Sequence, residues 1–469
     1  MRRVAALPLC LLLLSCGSDP CDLGEQKTWL RSWTNDVYLW YAEVPTYDPA
    51  PFTDPVAYFD VLKTPVVLSS GRAKDRFHFT YPTDVWIQLS QSGVEVGYGL
   101  TWILLATKPP RKAVVGYDEP NLPGSPALTN NLGRGVEVLT VDGVDLVNAS
   151  DQASVDKLNA GLFPAAAGER HTFTVRDPDT TVRTVQMTAV NVTSTPVQNV
   201  HAIDTPTGKV GYMLFNDHIA TAEKQLVDAV NQLDALGIGD LILDVRYNGG
   251  GYVAIASQLA YMIAGSTATS GKTFEKTVFN DKHPTTNPVT GQPITATGFI
   301  SQTVGFSVSS GKPLPTLALP APRVFVLTGP GTCSATEAIL NGLSGIDVPI
   351  VQIGAATCGK PYGFYPQDKC GTTYFSIEFQ GANQKGFGDY PDGFTPVATP
   401  GFAGCVVDDD FGHALGDSQE ALLAAALQYK DSQTCPPAPP ARNALTSGGL
   451  RGNGVPLKPP WRTNRILLP

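Results

Sequence analysis

The sequence predicts an α/β chain in which a mostly parallel sheet is preceded by a β-rich unit and a small N-terminal helical unit. From residue 209 onward, apolar runs of strand length alternate with stretches of helical period, the pattern of a layered sheet with right-handed crossovers. Residues 86–195 instead break into short strands separated by Gly turns. Residues 17–85 carry aromatic and aliphatic side chains at three- and four-residue spacing.

Composition narrows the function classes. A chain of 469 residues accommodates two to four domains, and 42% hydrophobic with 16% charged residues is ordinary for a globular protein. The net charge of −9 argues against a nucleic-acid partner. Met1-Arg2-Arg3 and the apolar run ending Leu13-Leu14-Ser15-Cys16 read as an export signal over 1–16, too short to span a bilayer. Removing Cys10 and Cys16 leaves Cys21, Cys333, Cys358, Cys370, Cys405 and Cys435. Six cysteines in an exported chain suggest disulfides with fifteen possible pairings. The preferred local pairs are Cys358–Cys370 and Cys405–Cys435. No Cys-x-x-Cys spacing is present, and neither a metal nor another cofactor is expected.

Taken in order, Lys27 to Trp40 reads as a helix with Trp29, Trp33, Val37 and Trp40 on one side. Asp54-Pro55 opens a second, with Asp as cap and Pro at the first position; Asp75 to Phe79 ends this unit. In the β-rich stretch, Gly97-Tyr98-Gly99-Leu100 is a Gly turn before a strand. The basic loop Lys108-Pro109-Pro110-Arg111-Lys112 falls where a compact strand is expected. Pro206-Thr207-Gly208 reads as the link into a domain over 196–400. There Lys209 to Phe215 is a strand and Thr221 to Leu236 a helix stopped by Gly237. Asp240 to Val245 is a buried strand leading to Asn248-Gly249-Gly250-Gly251, which opens another helix. No Gly-Lys-Ser/Thr follows the glycines, so a nucleotide site is not expected. Residues 265–320 read as hairpins or a long insertion near a cleft. Residues 401–435 read as a helical segment started by Asp417-Ser418-Gln419-Glu420, and 436–469 as a loosely ordered Pro/Gly tail.

The chemistry is concentrated around Gly331-Thr332-Cys333-Ser334-Ala335-Thr336-Glu337, between the strand Arg323 to Thr328 and a helix. Ser334 falls at the first turn, where unpaired amides and the helix dipole favour a developing oxyanion. The same four residues form a Ser-x-x-Glu capping box, which requires no catalysis. A further strand, Pro349 to Ile353, leads to Cys358-Gly359-Lys360.

Three motifs in this order resemble the carboxyl-terminal-processing (tail-specific) serine proteases, whose fold resembles the crotonase and Clp protease group. Their "LILDLRxNxGG" matches Leu241 to Gly251, their "SASASE" matches Thr332 to Glu337, and Lys360 follows Ser334 by 26 residues in a "GK". The resemblance implies a serine endopeptidase with Ser334 as nucleophile and Lys360 as general base. Backbone amides of Ala335 and of Gly250 or Gly251 would serve as oxyanion donors. Burial without a carboxylate partner would lower the lysine toward its neutral form. The family often has Gln four residues after the Lys; here that residue is Phe364, and Gln367 is the candidate third member if the loop bends back. Asp347 lies near a family Asp but out of register by two, and His218 is the alternative base of a Ser-His pair.

Gly97-Tyr98-Gly99-Leu100 and the stretch from Gly124-Ser125-Pro126-Ala127 to Val141-Asp142-Gly143 resemble bacterial PDZ domains. Such domains take an extended peptide on a strand edge and its terminal carboxylate on the loop amides. Leu-Leu-Ser-Cys resembles a bacterial lipobox, with Cys16 lipidated. Gly17-Ser18 after it favours the outer membrane of a bacterial cell envelope. The partners implied are exported polypeptides and the membrane that holds the anchor. The alternative is a PDZ-containing lipoprotein with a degenerate protease domain, favoured by loss of the usual Gln and opposed by retention of Ser334 and Lys360.

Overall fold

The computed structural model describes residues 19–321, 323–397, 399–437 and 452–457. Its centre is a six-stranded sheet. Val197–Thr205 and Gly208–Phe215 form an antiparallel hairpin. Parallel to the second strand follow Asp240–Asp244, Val324–Thr328, Ile350–Gly354 and Phe402–Val406. Because strand side chains alternate, each strand feeds two cores. Leu241, Leu243, Val324 and Val326 pack with Leu226, Leu259 and Ile339 from helices Ala222–Ala235, Val253–Thr269 and Ala335–Gly345. Ile242, Phe325, Leu327 and Ile353 face the other way, against Leu422 and Leu423 of helix Ala421–Ser432.

Two boundaries differ from the sequence reading. Pro206 and Thr207 form the turn of a hairpin inside the sheet, not a link into it. The sheet also continues past residue 400. Phe402–Val406 pairs with Ile350–Gly354 and the next helix covers it, so 401–435 is part of the layer rather than a separate helical segment. That helix is capped by Glu420, whose side chain accepts from the Leu423 amide at 3.1 Å, not by Asp417. Glu420 is selected because its carboxylate also holds Arg246, at 2.8 and 2.9 Å.

The β-rich unit is a sheet in the order Val455–Pro456, Leu100–Ala106, Lys112–Asp118, Glu137–Val141, Arg170–Arg176, Val182–Thr188, with helix Gln152–Leu162 on its apolar face. The basic loop is the connection of the hairpin between Leu100–Ala106 and Lys112–Asp118. Arg111 is buried and donates to the carbonyls of Thr107 and Ala149. Residues 452–457, read as tail, join this sheet at its edge.

In the helical unit, the first helix is Leu23–Val37 and begins before Lys27 because the Asp22 side chain caps it at the Gly24 amide. It ends before Trp40, since Tyr38 leaves the helix and donates its hydroxyl to Asp75 at 2.7 Å. Asp54 caps helix Pro55–Val61 as its sequence indicates. The unit is tied to the central body by pairing of Phe79–Pro82 with Thr372–Phe375 and by a Cys21–Cys370 disulfide. The other bridges are Cys333–Cys358 and Cys405–Cys435. Cys358 therefore pairs with Cys333 and not with Cys370, because the Ser334 turn and the Lys360 loop leave adjacent parallel strands and lie side by side. Cys16 lies outside the described residues. Among the described residues no helix is long and apolar enough to cross a membrane.

Under the Gly loop sits a buried ionic cluster. Arg246 donates to Asp244, Asp409 and Glu420 at 2.7–3.0 Å. Arg134 reaches in from the β-rich unit to Asp409 and to the Tyr247 hydroxyl, both at 2.7 Å. Burial alone would push the Asp409 carboxyl up, but Arg134 and Arg246 outweigh it and hold it below the ordinary carboxylate value. Removing one partner of such a cluster leaves uncompensated buried charge, at a cost of about 3–5 kcal/mol. Arg246→Met is therefore expected to lose about that much stability in urea unfolding. A loss under about 1 kcal/mol, the scale of an exposed pair, would contradict this account.

Candidate active site

Three segments converge at the ends of the parallel strands. Strand Asp240–Asp244 delivers Asn248 and the triple glycine, strand Val324–Thr328 delivers Ser334, and strand Ile350–Gly354 delivers Lys360. They line one cleft with a volume of about 420 Å³, part of it continuous with solvent. Gly251, Ser334, Ala335, Lys360 and Phe364 border it, with Glu275, Phe379 and Tyr390 on the facing wall.

Ser334 has φ 58° and ψ −120°, a backbone state unfavourable for a residue with a Cβ. A tight strand-to-helix turn that forces such a state also projects the side chain outward, as in nucleophile elbows. The turn is held by Glu337, fully buried. Its carboxylate accepts from the Ser334 amide at 3.0 Å, which is the Glu half of the capping box. It also accepts from the Gly359 amide at 2.9 Å, the Lys360 amide at 2.8 Å and the Thr357 hydroxyl. Burial pushes this carboxyl up, and the four donors only partly counter that. The Cys333–Cys358 bridge fastens the same two loops covalently.

Lys360 is 6% exposed. Its Nζ lies 4.1 Å from the centre of the Phe364 ring and 5.1 Å from that of Phe77, with Phe79 at 6.0 Å. Phe364, at the position of the family's usual Gln, thus forms part of an aromatic box around the amine. Gln367 is placed elsewhere. It opens strand Gln367–Lys369, pairs with Tyr374 and does not border the cleft, because the loop runs on into a hairpin instead of bending back. Asp347 is exposed beyond the far end of helix Ala335–Gly345, paired with Lys385. It is no third member.

The glycine loop is fixed by Asn248. Its Oδ1 accepts from the Gly250 amide at 3.0 Å and from the Thr336 hydroxyl at 2.8 Å, and its carbonyl accepts from the Cys333 amide at 3.0 Å. The Gly250 amide is therefore turned inward, and Gly250 does not border the cleft as Gly251 and Ala335 do. Gly251 and Ala335, by contrast, present their backbone to the cleft. Gly250 matters for another reason. A Cβ there would meet Ser334 Cβ at 2.8 Å and the Ala335 nitrogen at 2.9 Å.

His218 is not a base for Ser334. It is buried behind the loop, away from the cleft, with Nδ1 3.0 Å from Asn248 Oδ1. Burial pushes its ring down to about 3, so it is neutral and positions Asn248.

Sequence reasoning missed several contributors. Arg76 donates to the carbonyls of Cys358 and Pro391 at 3.0 and 3.1 Å, holding the Lys360 loop from the helical unit. Phe77 and Phe79 form the box, and nothing in their local sequence marks them. Glu275 lies on strand Thr273–Phe279, in the stretch read as hairpins or an insertion; burial pushes its carboxyl up to about 7. Glu337 was visible as a capping residue, but its grip on the second loop was not.

Residues 209–363 match the model of Peptidase family S41, and residues 25–80 match that of the Peptidase S41 N-terminal domain. The chain is 33% identical over 147 residues to a carboxyl-terminal-processing protease of Picosynechococcus sp. (strain ATCC 27264 / PCC 7002 / PR-6). That match takes in 30% of this chain and 32% of the relative, so it spans about a third of the relative's length. The fold is that of a Bacteroides fragilis NCTC 9343 protein whose crystal structure is named for the S41 proteases: TM-score 0.60 at 22% identity, over 87% of this chain and 97% of that one.

Glu337→Gln replaces an acceptor of four hydrogen bonds by a group whose NH2 must face donors. Loosening of both loops by a fraction of an ångström is expected to lower peptidase turnover roughly 10²-fold. Turnover within a factor of about three of the unaltered chain would show that the loops are held without it.

Proposed function

We propose that this chain, which carries a Peptidase family S41 domain over residues 209–363, is a serine endopeptidase of the tail-specific type acting through Ser334 and Lys360. The observation that carries the reading is the single cleft bordered by Ser334, Lys360 and the backbone of Gly251 and Ala335. Ser334 Oγ attacks the peptide carbonyl carbon while Lys360 Nζ takes its proton. The amides of Gly251 and Ala335 receive the oxyanion. Collapse breaks the C–N bond, and Lys360 returns the proton to the leaving amine. Water then attacks the acyl-enzyme with Lys360 again as base, releasing the acid and Ser334.

The β-rich unit supports recognition of a substrate's terminus, in the manner of a PDZ domain. Gly97 to Leu100 form a Gly turn with Gly99 at φ 79°, and the following strand carries an extended segment, Val455–Pro456, on its outer edge. The Leu13-Leu14-Ser15-Cys16 step supports a lipid anchor on the bacterial cell envelope, with exported polypeptides as substrates. A Cys16→Ser variant recovered in the membrane fraction would remove the anchor from this reading. Phe364 in place of Gln favours a second reading, a peptide-binding lipoprotein without turnover.

One assay decides between them. Purified chain incubated with an unfolded polypeptide is expected to cleave it, and Ser334→Ala is not. Lys360→Arg should also be inactive, because a guanidinium stays charged in this range. The rate should rise with pH as the Lys360 amine loses its proton. Glu275 also borders the cleft and titrates near about 7, so the rise must persist in Glu275→Gln. With His218 pushed down to about 3, a histidine base would give a flat profile above about pH 5. An active Lys360→Arg enzyme, or a flat profile, would refute the dyad. No cleavage by the unaltered chain would leave the binding reading in place.

A further inference from the structure

The groove between strand Leu100–Ala106 and helix Gln152–Leu162 is filled by another part of the same chain. Val455 and Pro456 pair antiparallel with Leu104 and Ile103. The Leu457 amide donates to the Trp102 carbonyl at 2.8 Å. Leu457 is 5% exposed, within the cluster that holds Tyr98, Trp102, Leu104, Val155 and Leu158. Gly454 passes so near the strand that a Cβ there would meet Ile103 Cγ2 at 2.4 Å. This is strand addition with one buried aliphatic anchor, the way an extended peptide binds a sheet edge.

Polarity sharpens the point. From Val455 to Leu457 the partner on the strand steps from Leu104 through Ile103 to Trp102, toward Leu100 and the Gly97–Leu100 turn. A bound peptide must run in this direction to bring a terminal carboxylate to that turn. The other end of the segment touches the central body. Asn453 Nδ2 donates to Asp408 Oδ1 at 2.8 Å, and the Gly452 amide donates to the Asp409 carbonyl at 3.2 Å. Pro456 Cδ lies so near Gly331, three residues before Ser334, that a Cβ on Gly331 would meet it at 2.8 Å.

We propose that Val455–Leu457 is a self-ligand of this groove, and that the groove's external partner is an extended peptide with an aliphatic side chain at the Leu457 position, which must displace it. The inference rests on the peptide-receiving reading of Gly97 to Leu100 given above. Being tethered, the segment competes at a high effective concentration although its described part in the groove is short. An incoming chain sees an affinity reduced by the fraction of time the groove is open. Displacement also releases the contacts at Asp408, Asp409 and Gly331, so occupancy of the groove is transmitted to the nucleophile turn through the same short segment.

The test uses the Ser334→Ala chain, so that no ligand is cleaved, and the dye-labelled peptide Gly-Asn-Gly-Val-Pro-Leu as free acid, followed by fluorescence anisotropy. Adding Leu457→Asp should tighten binding roughly tenfold, as expected if the groove is self-occupied about nine-tenths of the time. A thermal melt checks that this variant is folded. Should it not fold, Leu104→Cys/Val455→Cys, joined by an oxidised cross-link, should bind the peptide at least about tenfold more weakly than Leu104→Cys alone. Equal affinity with and without Leu457→Asp, or with and without the cross-link, overturns the self-ligand. Absence of binding by every folded variant overturns it differently, by removing the peptide-receiving groove on which it rests. Neither outcome bears on Ser334 as nucleophile, which these chains lack.

Discussion

The Glu337 carboxylate accepts hydrogen bonds from amides on two loops, Ser334 on one side and Gly359 and Lys360 on the other, and the cleft depends on that junction. Each loop is the crossover end of a parallel strand, and nothing in a sheet fixes the distance between two such ends. A buried acceptor with hydrogen-bond donors around it does so, because every lost bond would strand a donor in a dry interior. The Cys333–Cys358 bridge acts on the same separation by a different means. The Ser334 and Lys360 loops are thereby set by one helix turn and its neighbour.

The rest of the molecule extends this arrangement outward. Asn248 fixes the glycine loop against the Ser334 turn, so Gly251 and Ala335 face the same cleft. Beneath it, Arg246 holds its near neighbour Asp244 together with Asp409 and Glu420 from a stretch far along the sequence. Arg134 brings the β-rich unit into that cluster, while Arg76 and the Phe77–Phe79 aromatics bring the helical unit to Lys360. Each of the three units contributes side chains to, or directly behind, one site. A motion of the β-rich unit would therefore be felt at Asp409 and Tyr247 before it reached the serine.

Much of this was legible in the chain. Runs such as Asp240 to Val245 and Arg323 to Thr328 show buried parallel strands, and Gly after a strand followed by Ser-x-x-Glu marks the turn. What failed were relations between segments distant in sequence. Spacing suggested Cys358–Cys370, but the nearer sulfur in space came from an adjacent strand's crossover. Gln367 required the loop after Lys360 to bend back, whereas cross-strand pairing with Tyr374 carries it off. Gly250 and Gly251 looked equivalent until Asn248 engaged one of their amides. Arg76, Phe77, Phe79 and Glu275 had no local pattern at all, since their roles exist only once sheets far apart in sequence have met.

The central claim is that Lys360 makes Ser334 nucleophilic within this cleft. Its most direct measurement is covalent labelling of the intact chain by a fluorophosphonate, with the modified residue located by mass spectrometry and the rate followed against pH. The account predicts modification at Ser334, faster as pH rises, and slowed by at least roughly 10²-fold in Lys360→Met, the scale of a lost general base. Labelling at another residue, or at Ser334 with the same rate in Lys360→Met, would contradict it.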